Sequence, residues 1–352
     1  VSLRFRAVQW NRTKLAYDAV VLAGVGLYIG TFLGLGPLLW PREHPVTWEI
    51  LRIRAFGNCA FLMLTIILAI GPLARLDRRF LPVLYNRRHF GVITFCVAAA
   101  HAWFVLDWYH GQGRLPMLVS VLISNRHYGS FIGFPFEALG IAALLVLFLM
   151  AATSHDFWLG FLTPPVWKAL HMAVYAAYGL LVLHVALGVM QTERSPAIPA
   201  LLAAAFATVA ILHLVAGQRE RAGDPAATIA DDGWIAVGPP RAIPDGGARV
   251  IAIPGAERIA VFRDGTRLRA LTNLCAHQNG PLGEGRIIDG CVTCPWHGFQ
   301  YRLEDACSPP PFSERVATYP LRLRAGMLEV LPRALPLGGT DGMVRLTEAG
   351  DG

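Results

Sequence analysis

The sequence predicts a membrane α-helical bundle of six transmembrane helices followed by a small all-β domain, on three observations. Hydrophobic residues make up 54% of the 352 and charged residues 16%, and the mean hydropathy is positive at +0.45, a balance foreign to soluble globular chains. Almost all of the long apolar runs fall within the first 217 residues. Beyond them come short apolar runs separated by Gly, Pro and Asp, the pattern of strands joined by turns. The expected division is an N-terminal tail 1–14, a helical domain 15–217, a linker 218–228, a β domain 229–336 and a mobile tail 337–352.

A helix needs about 20 apolar residues to cross the hydrocarbon core. Six segments qualify, near 15–40, 55–74, 90–109, 131–153, 166–190 and 195–216, with Asp18, Asp107 and Glu137 as their few acidic residues, all near segment ends. Lys and Arg in the short connections number twelve on the side of the N-terminus and six on the other, where Arg42, Arg52 and Arg54 are counted. The excess puts both termini, and the β domain with them, in the cytoplasm of a chain integral to a plasma or bacterial inner membrane. Leu115–Ser124 is too short to span and is expected along the far interface. The basic start leads into an apolar run longer than a signal h-region, so no cleavable signal is expected. The net charge of +7 sits between apolar runs and forms no basic face, which excludes nucleic acid as a partner. Of the six cysteines, Cys59 and Cys96 fall in spans, and Cys291 and Cys307 are expected as free thiols in a reducing compartment.

In the β domain, strands are expected at Trp234–Val237, Arg249–Ile253, Arg258–Phe262, Leu268–Leu271 and Met327–Leu331, with Asp264-Gly265 as a hairpin turn. Loops among these carry Cys275-Ala276-His277 and, after sixteen intervening residues, Cys294-Pro295-Trp296-His297. Two thiolates and two imidazoles so arranged can hold a two-iron cluster, cysteines on one iron and histidines on the other; the same four can hold a tetrahedral zinc. The stretch resembles the Rieske [2Fe-2S] family, and the likeness extends to Gly280, Pro281, Gly298, Phe299 and Tyr301. The resemblance implies that Cys275, His277, Cys294 and His297 are the cluster ligands. High-potential members carry an extra cysteine in each ligand loop, joined as a disulfide; Gly280 and Trp296 stand there, so the likeness is to the low-potential ferredoxin type that feeds oxygenases. Neutral histidine ligands put the expected potential above that of plant-type ferredoxins.

Four histidines, His101, His171, His184 and His213, lie within the expected spans. Ionisable side chains at that depth are costly, which makes each a functional candidate; the alternative is a histidine simply hydrogen-bonded between helices. The third span opens on Arg87-Arg88-His89-Phe90-Gly91 and contains His101, and the fifth opens on Trp167-Lys168-Ala169-Leu170-His171 with His184 thirteen residues on. Over roughly residues 55–215 this resembles the ferric reductase-like transmembrane domain shared by the NADPH oxidases and the haem-binding membrane subunit of the bacterial methionine sulfoxide reductase system. The resemblance implies b-type haem with His101 and His184 as axial pair, six-coordinate and suited to electron transfer. A second haem would use His171 with His89 or His213. His89 lies about 18 Å before His101 along a helix, and His171 about 20 Å before His184, so the depths agree. The oxidases place their histidine fourteen residues before the one matching His101, where this chain has Arg87; at a spacing of twelve, His89 faces away. One haem and two both stay open, with quinone binding or a structural role as the other readings of His171. Arg87 and Arg88 mark the cytoplasmic interface or meet a haem propionate. His110 and His127, on the far side, are candidates to guide a metal-ion substrate.

No Gly-rich nucleotide fingerprint follows a strand, so no flavin or nicotinamide site is expected, unlike in the oxidases. Nor can a separate iron site of two histidines and a carboxylate be made out in the β domain, which argues against an oxygenase proper. The expected function is a membrane oxidoreductase passing single electrons between a cytoplasmic [2Fe-2S] cluster and haem within the bilayer. A cytoplasmic donor such as a flavin-dependent reductase loads the cluster, and an acceptor on the far side (a metal ion, oxygen or a partner protein) is reduced. The alternatives are quinol-driven delivery from haem through the cluster to a cytoplasmic oxygenase, and a redox sensor.

Overall fold

The computed structural model describes the chain apart from residues 1–11, 40–45, 81–82, 85, 131–132, 155–157, 159–160, 163, 193–196, 223–226, 228, 254–255, 278–279, 296–297 and 347–352. It divides into two compact units, one comprising Trp10–Leu159 with Trp167–Ala216 and the other chiefly Gly217–Gly352.

The first unit is helical: α1 (Arg12–Leu39), α2 (Trp48–Leu76), α3 (Arg87–Val105) running on into a π turn at Leu106–His110, α4 (Met117–Ile123), α5 (Phe136–Ala152), α6 (Pro164–Met172), α7 (Val174–Thr192) and α8 (Ala197–Ala222). Of the long helices α2 is the most enclosed and α1 and α8 the least. It packs along α3, and α5 packs along α7. The two pairs meet in a core of Leu64, Leu68, Leu147, Ala177, Tyr178 and Val209. Within it, the Thr65 hydroxyl and the Tyr178 phenol satisfy one another at 3.2 Å, as buried polar groups must.

Several boundaries differ from those read in the sequence. Thr47 caps α2, its extended backbone carrying a hydroxyl that accepts from the Ile50 amide at 3.4 Å. The helix therefore starts at Trp48 and not near 55, so Arg52 and Arg54 leave the loop count that set the orientation. Within the expected fourth span the described helix is α5, 17 residues long, with Gly133–Pro135 non-helical ahead of it. At 1.5 Å per residue it reaches about 25 Å, the lower limit for crossing. Among the described residues, five stretches are long and apolar enough to cross a membrane: Leu15–Leu38, Trp48–Leu76, Arg87–His110, Ala169–Gly188 and Ile198–Arg219. The fifth expected span is interrupted at Ala173, between α6 and α7. Helix α8 continues to Ala222 and takes in the first part of the expected linker. The short Met117–Ile123 helix falls in the stretch expected along the interface.

The second unit is all-β. Its strands are β1 (Ile235–Gly238), β2 (Ala248–Ile251), β3 (Ile259–Asp264), β4 (Arg267–Thr272), β5 (Arg286–Ile288), β6 (Cys291–Thr293), β7 (Gln300–Arg302), β8 (Thr318–Tyr319), β9 (Leu321–Arg324), β10 (Met327–Val330) and β11 (Val344–Arg345). They form three antiparallel sheets, β1-β10-β9, β11-β4-β3-β2 with β8 also on β4, and β5-β6-β7. The β3–β4 hairpin pairs Asp264 with Arg267, and Gly265 takes the positive φ of 59° that its two-residue turn needs. Ile235, Val237, Ile259, Val261, Leu268 and Leu328 are among the side chains filling the core.

The tail expected to be mobile from 337 is instead part of the fold as far as Leu346. β11 pairs with β4, and the wholly buried Arg269 donates to the carbonyls of Gly339 at 2.7 Å, Thr340 at 3.0 Å and Asp341. A buried guanidinium must find acceptors, and a Gly-rich backbone supplies them without a side-chain pattern that a sequence displays.

Candidate functional site

Both cysteine–histidine loops are closed by their own backbone. In the first, Cys275 donates to the Gly280 carbonyl at 2.9 Å and Leu282 to that of Asn273 at 2.8 Å. The second is the β6–β7 turn. There Cys294 donates to Phe299 at 2.8 Å and Gly298 to Cys294 at 2.9 Å, with Gly298 at a φ of 70° that a side chain would resist. Cys275, Cys294 and His277 are 0%, 1% and 2% exposed. The His277 ring stacks on Phe299 at 5.1 Å and 8°, and Phe299 packs edge-on to Phe312 at 5.1 Å.

Tyr301, on β7, reaches the first of these loops. Its oxygen accepts from the Ala276 amide at 2.9 Å and lies 3.3 Å from the Cys275 sulfur. Either atom can donate while Cys275 is a thiol; a thiolate at Cys275 only accepts, and the phenol is then the donor. Burial, and then the neighbouring Cys275 thiol, push the phenol's pKa up, so Tyr301 stays a donor. His297 and Trp296 lie outside the described residues, and among those described no three His, Cys, Asp or Glu side chains converge as a metal site. The three described members of the expected set are thus two buried thiols and a buried imidazole on two closed loops, a donor set that fits a [2Fe-2S] group. Burial pushes the Cys291 thiol up to about 11 and raises that of Cys307; both are free thiols in the structure.

In the helical unit two histidines have matched settings. His101 on α3 lies with Nδ1 2.9 Å from the Ile53 carbonyl of α2, and His184 on α7 with Nδ1 2.8 Å from the Phe136 carbonyl of α5. Each partner is 48 residues earlier in the chain. A carbonyl only accepts, so Nδ1 carries the proton in both rings and Nε2 keeps its lone pair, the tautomer a metal ligand needs.

The other histidines differ. His171 donates from Nδ1 to Trp167 of its own helix at 3.0 Å and stacks on that indole at 3.4 Å, its buried Nε2 meeting no hydrogen-bond partner among the described residues. His213 is engaged at both nitrogens, Nδ1 with the Val209 carbonyl at 2.9 Å and Nε2 with the Tyr175 hydroxyl at 3.0 Å. His89 turns to α1, where Asp18 takes its Nδ1 at 2.7 Å and Asn86 at 3.1 Å. His110 bonds Ser120 at 2.9 Å, and neither it nor His127 joins a metal-ligating group among the described residues. Sequence reasoning missed the two carbonyl acceptors, Tyr301's role as donor, and the pairings of Asp18 and Tyr175.

Comparison with known proteins gives two family matches, a Rieske [2Fe-2S] domain over residues 233–320 and a ferric reductase like transmembrane component over 55–182. The anthranilate 1,2-dioxygenase ferredoxin subunit of Burkholderia cepacia is 41% identical over 81 residues, 22% of this chain and 73% of that protein. A cholesterol 7-desaturase of Ciona intestinalis is 28% identical over 104 residues, 29% of this chain and only 22% of that protein. The solved ferredoxin of carbazole 1,9a-dioxygenase from Nocardioides aromaticivorans aligns with 28% of this chain and 98% of its own at 21% identity and a TM-score of 0.27. With its Rieske domain matched and a ferric reductase-like transmembrane domain preceding it, the chain belongs to the Rieske [2Fe-2S] family and is a membrane electron-transfer redox protein.

Proposed function

We propose that the chain passes single electrons between a [2Fe-2S] cluster held by Cys275, His277, Cys294 and His297 and one b-type haem held by Nε2 of His101 and Nε2 of His184, toward an acceptor on the far side of the membrane. The two groups supply one-electron chemistry when bound. The chain's residues hold the rings, set their tautomers and donate from Tyr301 to Cys275. The observation that carries the haem reading is the matched pair of Nδ1 bonds to Ile53 and Phe136 at 2.9 and 2.8 Å, which leaves two lone pairs of the same kind on helices α3 and α7. A single haem is favoured because His213 is engaged at both ring nitrogens, by Val209 and Tyr175, and because the bond to Asp18 turns His89 toward α1; His171 then serves packing or a quinone. The donor in this reading is a cytoplasmic flavin-dependent reductase, with both termini on its side. Replacement of His184 by Ala abolishes the low-spin haem spectrum of the purified protein and leaves the cluster's EPR signal; a haem spectrum unchanged in that variant refutes the assignment.

A second reading draws support from the 41% identity to a dioxygenase ferredoxin subunit: quinol reduces the haem and the cluster delivers electrons to a cytoplasmic oxygenase. Membranes supplied with quinol, or with NADH and a cytosolic reductase, separate the two readings by which donor reduces the haem first.

A further inference from the structure

We infer that Gly57 and Gly140 are positioning residues of the haem site, each the seat on a facing helix into which one axial histidine is pressed. The inference rests on the assignment of His101 and His184 as haem ligands. Glycine within a helix is less stable than alanine, so its presence in α2 and α5 calls for a reason. A Cβ at Gly57 would stand 2.8 Å from both Cε1 and Nδ1 of His101, and a Cβ at Gly140 would stand 2.8 Å from Cε1 and 2.9 Å from Nδ1 of His184. Two unrelated helix pairs thus repeat one arrangement, the Nδ1–Cε1 edge of an imidazole against a glycine.

The same spacing links the seat to the hydrogen bond. The acceptors Ile53 and Phe136 are each four residues before the glycine. Side chains of a helix lean toward its N-terminus, so a side chain at 57 or 140 covers the carbonyl one turn earlier. Glycine leaves that carbonyl open to a second donor, and the imidazole takes it. Alanine therefore acts twice: it intrudes on the ring, which must retreat about 0.6 Å to reach ordinary contact, and it shields the acceptor that sets the tautomer. Ligand geometry tolerates about 0.5 Å. Other helix glycines lack this setting: Gly91 on α3 and Gly179 on α7, the helices that bear the two histidines, have nothing within 4 Å of the position a Cβ would take.

The test uses the full chain in membranes and after purification. Gly57→Ala and Gly140→Ala are each expected to lower the low-spin haem signal per protein at least tenfold or convert it to a high-spin spectrum, while the cluster's EPR amplitude stays at the wild-type level. Gly91→Ala and Gly179→Ala are expected to keep the wild-type spectrum. A merely structural role is separated by a second measurement, thermal unfolding of haem-depleted protein. There Gly140→Ala is expected to lower the melting temperature when His184 is present and to have no such effect in a His184→Ala background, where nothing remains for the methyl group to strike. If Gly140→Ala alone fails to accumulate, accumulation of the double variant supports the seat and its failure refutes it. Wild-type spectrum and haem midpoint in both alanine variants, or an equal thermal penalty in both backgrounds, overturns the inference. Low-spin haem surviving in His184→Ala refutes the haem assignment instead, and the thermal comparison then decides the seat by itself.

Discussion

Replacing Tyr301 by Phe takes one hydroxyl from beneath Cys275 and leaves the ring that packs on Phe299 at 5.4 Å. The oxygen accepts from Ala276 at 2.9 Å and lies 3.3 Å from the Cys275 sulfur, to which it donates once that sulfur is a thiolate. Reduction adds negative charge to a cluster and strengthens any bond donated to its sulfur ligands, so the donor favours the reduced state. A net contribution of about 0.5–1.5 kcal/mol for one hydrogen bond, set against 59 mV for each tenfold change in a one-electron couple, corresponds to a midpoint about 20–65 mV lower in Tyr301→Phe. The assay is an EPR-monitored redox titration of purified protein. Burial and the adjacent thiol raise the phenol's pKa, so its hydrogen is present throughout the neutral range and the shift should be the same at pH 6 and pH 8. The Ala276 amide loses its acceptor as well, which costs the domain about 1–3 kcal/mol and lowers its melting temperature without bearing on the potential. An unchanged or higher midpoint refutes the assignment of the hydroxyl as donor to the cluster ligand.

Three further outcomes follow from particular contacts. Arg269→Met removes the donor that binds the carbonyls of residues 339–341; at about 1.5–3 kcal/mol for bonds to a charged group, the tail should become cleavable by limited proteolysis after Pro336, and wild-type resistance refutes the clamp. Cys291, whose thiol burial pushes from 9.0 to about 11, binds its proton more tightly folded than unfolded. Its contribution is therefore fully present below pH 9 and lost between 9 and 11, so Cys291→Ala should show a smaller fall in stability across that window; equal slopes in urea titrations refute this. His213→Gln should keep the low-spin haem spectrum, because both ring nitrogens of His213 are already engaged, and loss of that spectrum would identify His213 as a ligand after all.

What could be read ahead of the structure was what local chemistry encodes. The Asp264-Gly265 hairpin and the apolar helices follow from short-range pattern. The sheet β5-β6-β7 that carries the second ligand loop escaped notice because its strands are three residues each, too short for a period of two to show. The tail escaped for a related reason, since Arg269 binds backbone carbonyls that every residue possesses. The proposed haem site divides along the same line. Histidine at 101 and 184 is visible because an imidazole in an apolar run is costly and therefore conspicuous. Its acceptors are not, because Ile53 and Phe136 contribute nothing but main chain, and they become acceptors only when α2 faces α3 and α5 faces α7. A sequence thus names the side chains that can bind a metal, while the tautomer that makes them able to do so is decided by packing between helices and by the residues, here glycines, that let a ring reach the backbone.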